Sequence, residues 1–239
     1  MSDRDARTPR VFIVRHGETD WAKSGRYTGT TDIELTKVGA AQVSSTAAMI
    51  VGAGKPLDPS SLAHIFVSPR KRARKTFELL LPQSSFGAAG WEERVTYTEH
   101  IAEWDYGDYE GLKFAEIIQL RQGKGLDRER EWNIWRDGCE GGESMKQVSD
   151  RLDKLISQIR EIQRPHMNGG EAGNVLLVAH GLVLRCFAKR WIRYSVDSPL
   201  PMMLAPGAVA VLSYKNGNID EPALCLGLEL RKAEPSDVI

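Results

Sequence analysis

Residues 11 to 18, Val11-Phe12-Ile13-Val14-Arg15-His16-Gly17-Glu18, constrain the chain most. Four apolar residues in a row, three of them β-branched and one aromatic, describe a short strand buried on both faces. The run stops abruptly at arginine, histidine and glycine. A cation and an imidazole at the carboxyl end of a buried strand are costly to place without a partner. In open α/β sheets that end is where ligands bind. Glycine there lets the backbone turn sharply and a ligand come close. His16 is therefore a candidate nucleophile and Arg15 a candidate phosphate clamp. The competing reading is a polar strand end without chemistry.

The same pattern recurs along the chain. Leu62 to Val67 reads as a second buried strand, ending in Ser68-Pro69-Arg70, and Val175 to Ala179 as a third, ending in His180-Gly181. A short strand at 95–98 opens onto a stretch of acids and aromatics that begins near Glu103. Helices are expected from a Thr36 N-cap to about Val51, over Lys71 to Leu81, over Phe114 to Leu120, and over Leu182 to Trp191. Ser144 and Gln147 form a capping box that opens a helix with apolar residues at 145, 148, 152, 155, 156, 159 and 162. Thr19 to Asp32 reads as loop, Ala208 to Tyr214 as a last strand, and everything from Asn216 as a tail with a disordered end. The loops at 82–93 and 165–173 complete the pattern, and 123–142 reads as a structured excursion. Alternating strands and helices predict one α/β domain over 1–239, with an ordered core of about 10–232. The architecture expected is a three-layer sandwich, a mostly parallel sheet with helices on both faces.

Charge narrows the partners. The chain has 32 basic and 32 acidic residues, and a net charge of zero argues against nucleic acid or a membrane surface as partner. A locally positive pocket is still allowed. Cys139, Cys186 and Cys225 are odd in number and lack CxxC spacing, which fits free thiols in a reducing compartment. No apolar run approaches the ~18 residues of a membrane span, and the charged first ten residues do not read as a signal peptide. Cytoplasm is the expected location. Composition leaves a homo-oligomer open.

If the strands are parallel neighbours, their ends meet on one edge of the sheet. Two histidines, two or three arginines and a carboxylate would then surround one point. Phosphoryl transfer through a phosphohistidine needs this set. The transferring group spreads charge over three equatorial oxygens, which arginine forks match. The attacking nitrogen must be unprotonated, and the leaving alkoxide needs a proton, which Glu103 is placed to give.

Arg15-His16-Gly17 after an apolar strand, Ser68 with Arg72-Ala73 and Thr76, Glu103 in a loop ending Glu110-Gly111, Gly142-Glu143-Ser144, and a late His180-Gly181 together resemble the histidine phosphatase superfamily, the phosphoglycerate mutase-like proteins. The likeness runs in order along nearly the whole chain. It implies that His16 is phosphorylated, that Arg15, Arg72 and His180 form the phosphate pocket, and that Glu103 donates the proton. Trp21 to Gly25, Glu103 to Gly111 and Trp132 to Glu140 are similar to the sugar bisphosphatases within that superfamily. That narrower likeness implies a small phosphorylated sugar as substrate, such as sedoheptulose 1,7-bisphosphate or fructose 1,6-bisphosphate. It also implies substrate contacts from Tyr27, Thr28, Gly29, Ser68, Tyr106 and Arg185, and neither metal nor cofactor. The segment Ile192 to Pro206 is shorter than its counterpart there, and Ala22 stands where mutases commonly carry asparagine.

Other readings stand beside this one. Pro69 to Lys75 holds five basic residues in seven and could serve as a nuclear address. Helical geometry instead puts Arg72 about 200° round from Arg70, so one face can serve a pocket and the other water. Arg72 is preferred there, with Arg70 second. Asp105, Asp108 and Glu110 rival Glu103. His64, His100 and His166 read as structural or solvated, and Cys139 as structural. Trp132 to Arg136 reads as core or as a lid over a sugar. Alternatives to a phosphatase are a mutase of the same fold, a metallohydrolase on His16, His180 and Glu103, and a phospho-ligand binding module without turnover.

Overall fold

The computed structural model describes residues 8–82, 92–168 and 173–227. Most of the expected 82–93 loop, part of the 165–173 loop and the expected disordered end lie outside the described residues. The elements in chain order are β1 (Val11–Arg15), α1 (Asp20–Ser24), α2 (Lys37–Ile50), β2 (Leu62–Val67), α3 (Lys71–Leu80), β3 (Val95–Tyr97), α4 (Phe114–Gly123), α5 (Ile134–Asp137), α6 (Met145–Gln163), β4 (Asn174–Ala179), α7 (Gly181–Trp191), β5 (Val209–Tyr214) and β6 (Pro222–Cys225).

The strands form one sheet in the order β3-β2-β4-β1-β5-β6. β3, β2, β4 and β1 are parallel, while β5 runs antiparallel to β1 and to β6. Successive residues of a strand face opposite sides, and β1 uses this fully. Val11 and Ile13 enter one core with Val148, Leu152 and Leu155 of α6 and Phe187 of α7. Phe12 and Val14 enter the other with Val43 of α2 and Phe77 and Leu80 of α3. This is the expected three-layer sandwich, its sheet mixed and mostly parallel.

The local signals that make the helices act as expected. Thr36 Oγ1 accepts from Gly39 N at 2.9 Å to cap α2, and Ser144 and Gln147 close their capping box on α6. Two elements differ from expectation. Thr19 to Asp32 is not all loop, because Thr19 caps the short helix α1 and Gly25, at φ +74°, ends it in the left-handed region. The segment after Asn216 is not all tail, because Pro222 opens the edge strand β6 opposite Tyr214. Proline is tolerated at the first residue of an edge strand, so it stopped nothing here.

Parallel pairing aligns the carboxyl ends of β1 and β4, with Arg15 opposite Ala179 and His16 N donating to Ala179 O at 2.9 Å. α2 packs close to the turn after β1. A Cβ on Gly39 would lie 2.3 Å from Glu18 O, whereas one on Gly123 at the end of α4 would meet nothing within 4 Å. Gly39→Ala is therefore expected to destabilise the fold by about 1–3 kcal/mol through overpacking. Gly123→Ala should leave stability unchanged or slightly raised; urea unfolding of both variants checks the pair.

Candidate active site

His16 follows directly on β1, and its turn is held on three sides. Thr76 Oγ1 on α3 accepts from Gly17 N at 3.1 Å and donates to Arg72 O at 2.8 Å. A Cβ on Gly17 would lie 2.5 Å from Gly39 O, so only glycine fits without movement. His16 Nδ1 donates to Gly17 O at 2.7 Å. That bond puts the proton on Nδ1 and leaves Nε2 as the bare, nucleophilic nitrogen. Burial, aided by the charges of Arg72 and Arg15, pushes the His16 imidazole down to about 3. His16 is thus neutral over the whole ordinary pH range.

His180 caps α7 at the end of β4. Its ring centroid is 5.1 Å from that of His16, with the planes at 62°. Arg72 Nε donates to its Nδ1 at 3.1 Å, so its own proton sits on Nε2, 2.6 Å from Ser68 Oγ. Burial, then the Arg72 charge, holds His180 well below its ordinary value.

Arg15 is half-buried at the end of β1. One terminal nitrogen donates to Leu204 O at 2.8 Å, while its buried Nε has no hydrogen-bond partner among the described residues. A Cβ on Gly181 would come within 2.9 Å of that Nε, so any larger residue there would push the guanidinium aside. A buried, unpaired guanidinium N–H suits an anion.

Glu103 comes from the stretch after β3. Its carboxylate accepts from Leu182 N at 3.0 Å and Val183 N at 2.9 Å, in the first turn of α7, and from Trp104 N at 3.0 Å. An acid at a helix N-terminus meets free N–H groups and the positive end of the dipole. Oε2 takes one of the three bonds, which leaves it a lone pair for a proton.

Arg15, His16, Tyr27, Thr28, Glu103, Tyr106 and Arg185 line one cavity of about 390 Å³. Tyr27 and Tyr106 meet edge to face at 4.9 Å. Arg185 lies over the Trp135 ring at 5.6 Å, and Trp135 itself lines the cavity. Trp132, by contrast, is core.

Four expected site residues do not line the cavity. Arg72, His180 and Ser68 are wholly buried. Arg72 spends its donors on His180 and on the carbonyls of Thr28, Gly29 and Thr31. Gly29 N is taken by the Glu110 carboxylate at 2.9 Å, and a Cβ there would meet Trp104 O at 2.4 Å, so its N–H is occupied and its Cα packs against main chain. The sequence alone placed Glu110 only as a rival acid; its bonds to Gly29 N and Thr31 N make it a loop clamp. Arg26 and Thr19 also line the cavity; the only sequence signal for them is the Thr19 cap and Gly25 stop that mark α1. Arg70, at the N-cap position before α3, pairs with Glu99 at 3.0 Å.

No group of three or more His, Cys, Asp or Glu among the described residues is placed to hold a metal. The donors that a metallohydrolase would use are engaged otherwise, His180 with Arg72 and Ser68, Glu103 with three N–H groups. Burial raises the Cys139 thiol to about 12, far from a thiolate nucleophile. No helix among the described residues is long and apolar enough to cross a membrane.

The family model of the histidine phosphatase superfamily (branch 1) matches residues 11–223. The chain belongs to that superfamily. The sedoheptulose 1,7-bisphosphatase of Saccharomyces cerevisiae is 41% identical, over 91% of this chain and 92% of that one. An acid phosphatase of Mycobacterium tuberculosis is 32% identical, over 88% and 89%. The structure of an alpha-ribazole phosphatase from Shigella flexneri shares the fold at a TM-score of 0.70 and 21% identity, covering 94% of this chain and 98% of that one. The superfamily and these relatives make this chain a phosphatase that hydrolyses phosphate esters.

The buried neutral His16 makes stability depend on pH. Its folded value is lowered to about 3, so between there and its ordinary 6.5 the unfolded chain binds a proton that the folded one does not. Its contribution is complete above 6.5 and lost as pH falls through that window. His16→Gln is expected to lower the slope of unfolding free energy against pH in that window by roughly 1.4 kcal/mol per pH unit. Chemical denaturation at a series of pH values checks it.

Proposed function

We propose that the chain hydrolyses a phosphate monoester of a small sugar phosphate through a phosphohistidine at His16, with a sugar bisphosphate such as sedoheptulose 1,7-bisphosphate as substrate. The observation that carries this reading is the 2.7 Å bond from His16 Nδ1 to Gly17 O, which leaves Nε2 bare at the wall of a cavity that also holds Arg15 and Glu103.

In the first step His16 Nε2 attacks phosphorus in line with the ester oxygen. The N–P bond forms, the P–O bond breaks, and the Glu103 carboxyl gives its proton to the leaving alkoxide. Arg15 meets the charge on the equatorial oxygens. In the second step Glu103 takes a proton from water, the resulting hydroxide attacks phosphorus, and the N–P bond breaks. Phosphate leaves, and His16 and Glu103 return to their starting states. His180, neutral and locked by Arg72, meets the His16 ring edge to face. Tyr27, Thr28, Tyr106 and Arg185 are the groups available to a sugar's hydroxyls and to any second phosphate. The 41% identity to a sedoheptulose bisphosphatase over nine-tenths of both chains supports the sugar bisphosphate.

A panel of sugar mono- and bisphosphates assayed for free phosphate tests the reading. Release is expected to be fastest with a seven- or six-carbon bisphosphate and to be absent in His16→Ala. Labelled substrate should leave an acid-labile phosphoryl group on the wild-type protein alone. Isomerised monophosphate without net release would make the chain a mutase, tight binding without turnover a binding module, and full activity of His16→Ala would end the phosphohistidine reading.

A further inference from the structure

Residues 103–106 belong to no helix or strand, yet they carry Glu103 and Tyr106. Their position is set from α6. Arg151 is largely buried and pairs bidentately with Glu143, at 2.7 Å from Nε and 2.9 Å from a terminal nitrogen. The rest of its fork reaches the main chain after β3, donating to His100 O at 2.8 Å, Ala102 O at 2.9 Å and Glu103 O at 3.4 Å. Glu143 answers from its side. Its carboxylate accepts from Asp105 N at 3.0 Å, its N–H donates to Asp105 O at 2.9 Å, and its carbonyl accepts from Trp104 Nε1 at 2.8 Å. The loose stretch thus borrows from one ion pair the hydrogen bonds that a sheet would otherwise give it.

We propose that Arg151, oriented by Glu143, is a positioning residue that fixes where Glu103 holds its proton. Glu103 is gripped at two ends. Its carbonyl accepts from Arg151 on α6, and its carboxylate accepts from the first turn of α7. Arg151 does not line the cavity and touches no reacting group. Without its fork the main chain at 102–105 loses its anchor, and the carboxyl no longer sits within reach of the leaving oxygen in a defined pose. Lysine cannot replace it, because one ammonium cannot bridge a carboxylate and several carbonyls in a plane. His16 and Arg15 are held by other partners, from Gly17, Thr76, Leu204 and β4, so attack and phosphate binding are spared.

The proposal rests on Glu103 as proton donor, and leaving-group dependence tests it. An alkyl ester such as a sugar phosphate needs the proton, whereas p-nitrophenyl phosphate departs as a stabilised phenolate and needs it little. The rate of phosphoenzyme formation is read in single turnover, because the water step that also uses Glu103 is common to both substrates. In Arg151→Lys that rate for the sugar phosphate is expected to fall roughly tenfold to a hundredfold with substrate affinity nearly unchanged, as for a misplaced catalytic group. For p-nitrophenyl phosphate it should fall by less than about threefold, since general acid help is small there. Glu103→Gln should show the same pattern more strongly, and adding Arg151→Lys to it should cost little more. Glu143→Gln, which keeps the shape and halves the pairing, serves if Arg151→Lys does not fold. Equal losses on the two substrates in the Arg151 or Glu143 variant, with Glu103→Gln still discriminating, would make the pair merely structural and overturn the proposal. No discrimination in Glu103→Gln would overturn the proton-donor reading and the proposal with it.

Discussion

A guanidinium with no exposure to water sits at the centre of this molecule. Burying the Arg72 charge is costly unless its donors are met, and they are met by one imidazole and three carbonyls, those of Thr28, Gly29 and Thr31. Each of those bonds does something further. The carbonyls are drawn inward, and Glu110 holds the Gly29 and Thr31 N–H groups of the same loop, so the loop is fixed through both kinds of backbone group. That fixes Tyr27 and Thr28 along the cavity wall. The bond to His180 decides which of its nitrogens bears the proton. The charge itself helps keep His16 neutral, second only to burial. One side chain of α3 therefore sets a wall, a tautomer and a protonation state.

The sequence showed the frame well because frame and pattern have one cause. Apolar runs ending in Arg15-His16-Gly17, Ser68 and His180-Gly181 mark strands buried on both faces, and parallel pairing then leaves their polar ends little choice but to meet. The Thr36 and Ser144 caps were legible because a cap is satisfied within a few residues. Less legible were features whose partner is distant or whose cost is small. Pro222 reads as a stop, but at the first position of an edge strand it forfeits no ladder bond. Arg72 was placed on the correct face of its helix. Whether its fork would meet a ligand or the carbonyls of a loop 41 to 44 residues earlier depends on how that loop returns, and no local pattern carries that. Glu143 and Arg151 had the same difficulty, since their targets lie in a segment without periodicity.

The site divides into two halves that differ physically. Around His16, Thr76, Arg72, His180 and Ser68 answer one another in a space closed to water, and removing one partner leaves a buried group unpaired at about 1–3 kcal/mol. Thr76, Gly17, Ser68, His180 and Arg72 are bound in this way, and even the glycines beside them admit no Cβ. Across the cavity the wall is of another kind. Trp135 lies under Arg185 at 5.6 Å and Lys189 at 4.1 Å. Beyond it a second cavity of about 550 Å³ is bounded by Arg136, Asp197 and the segment from Ser198 to Met203. Those side chains are exposed or part-exposed, and water can satisfy whatever a substitution leaves unpaired. A substitution along the far wall is therefore expected to cost the fold less than one among the closed groups around His16, because water takes up the hydrogen bonds that the protein loses there.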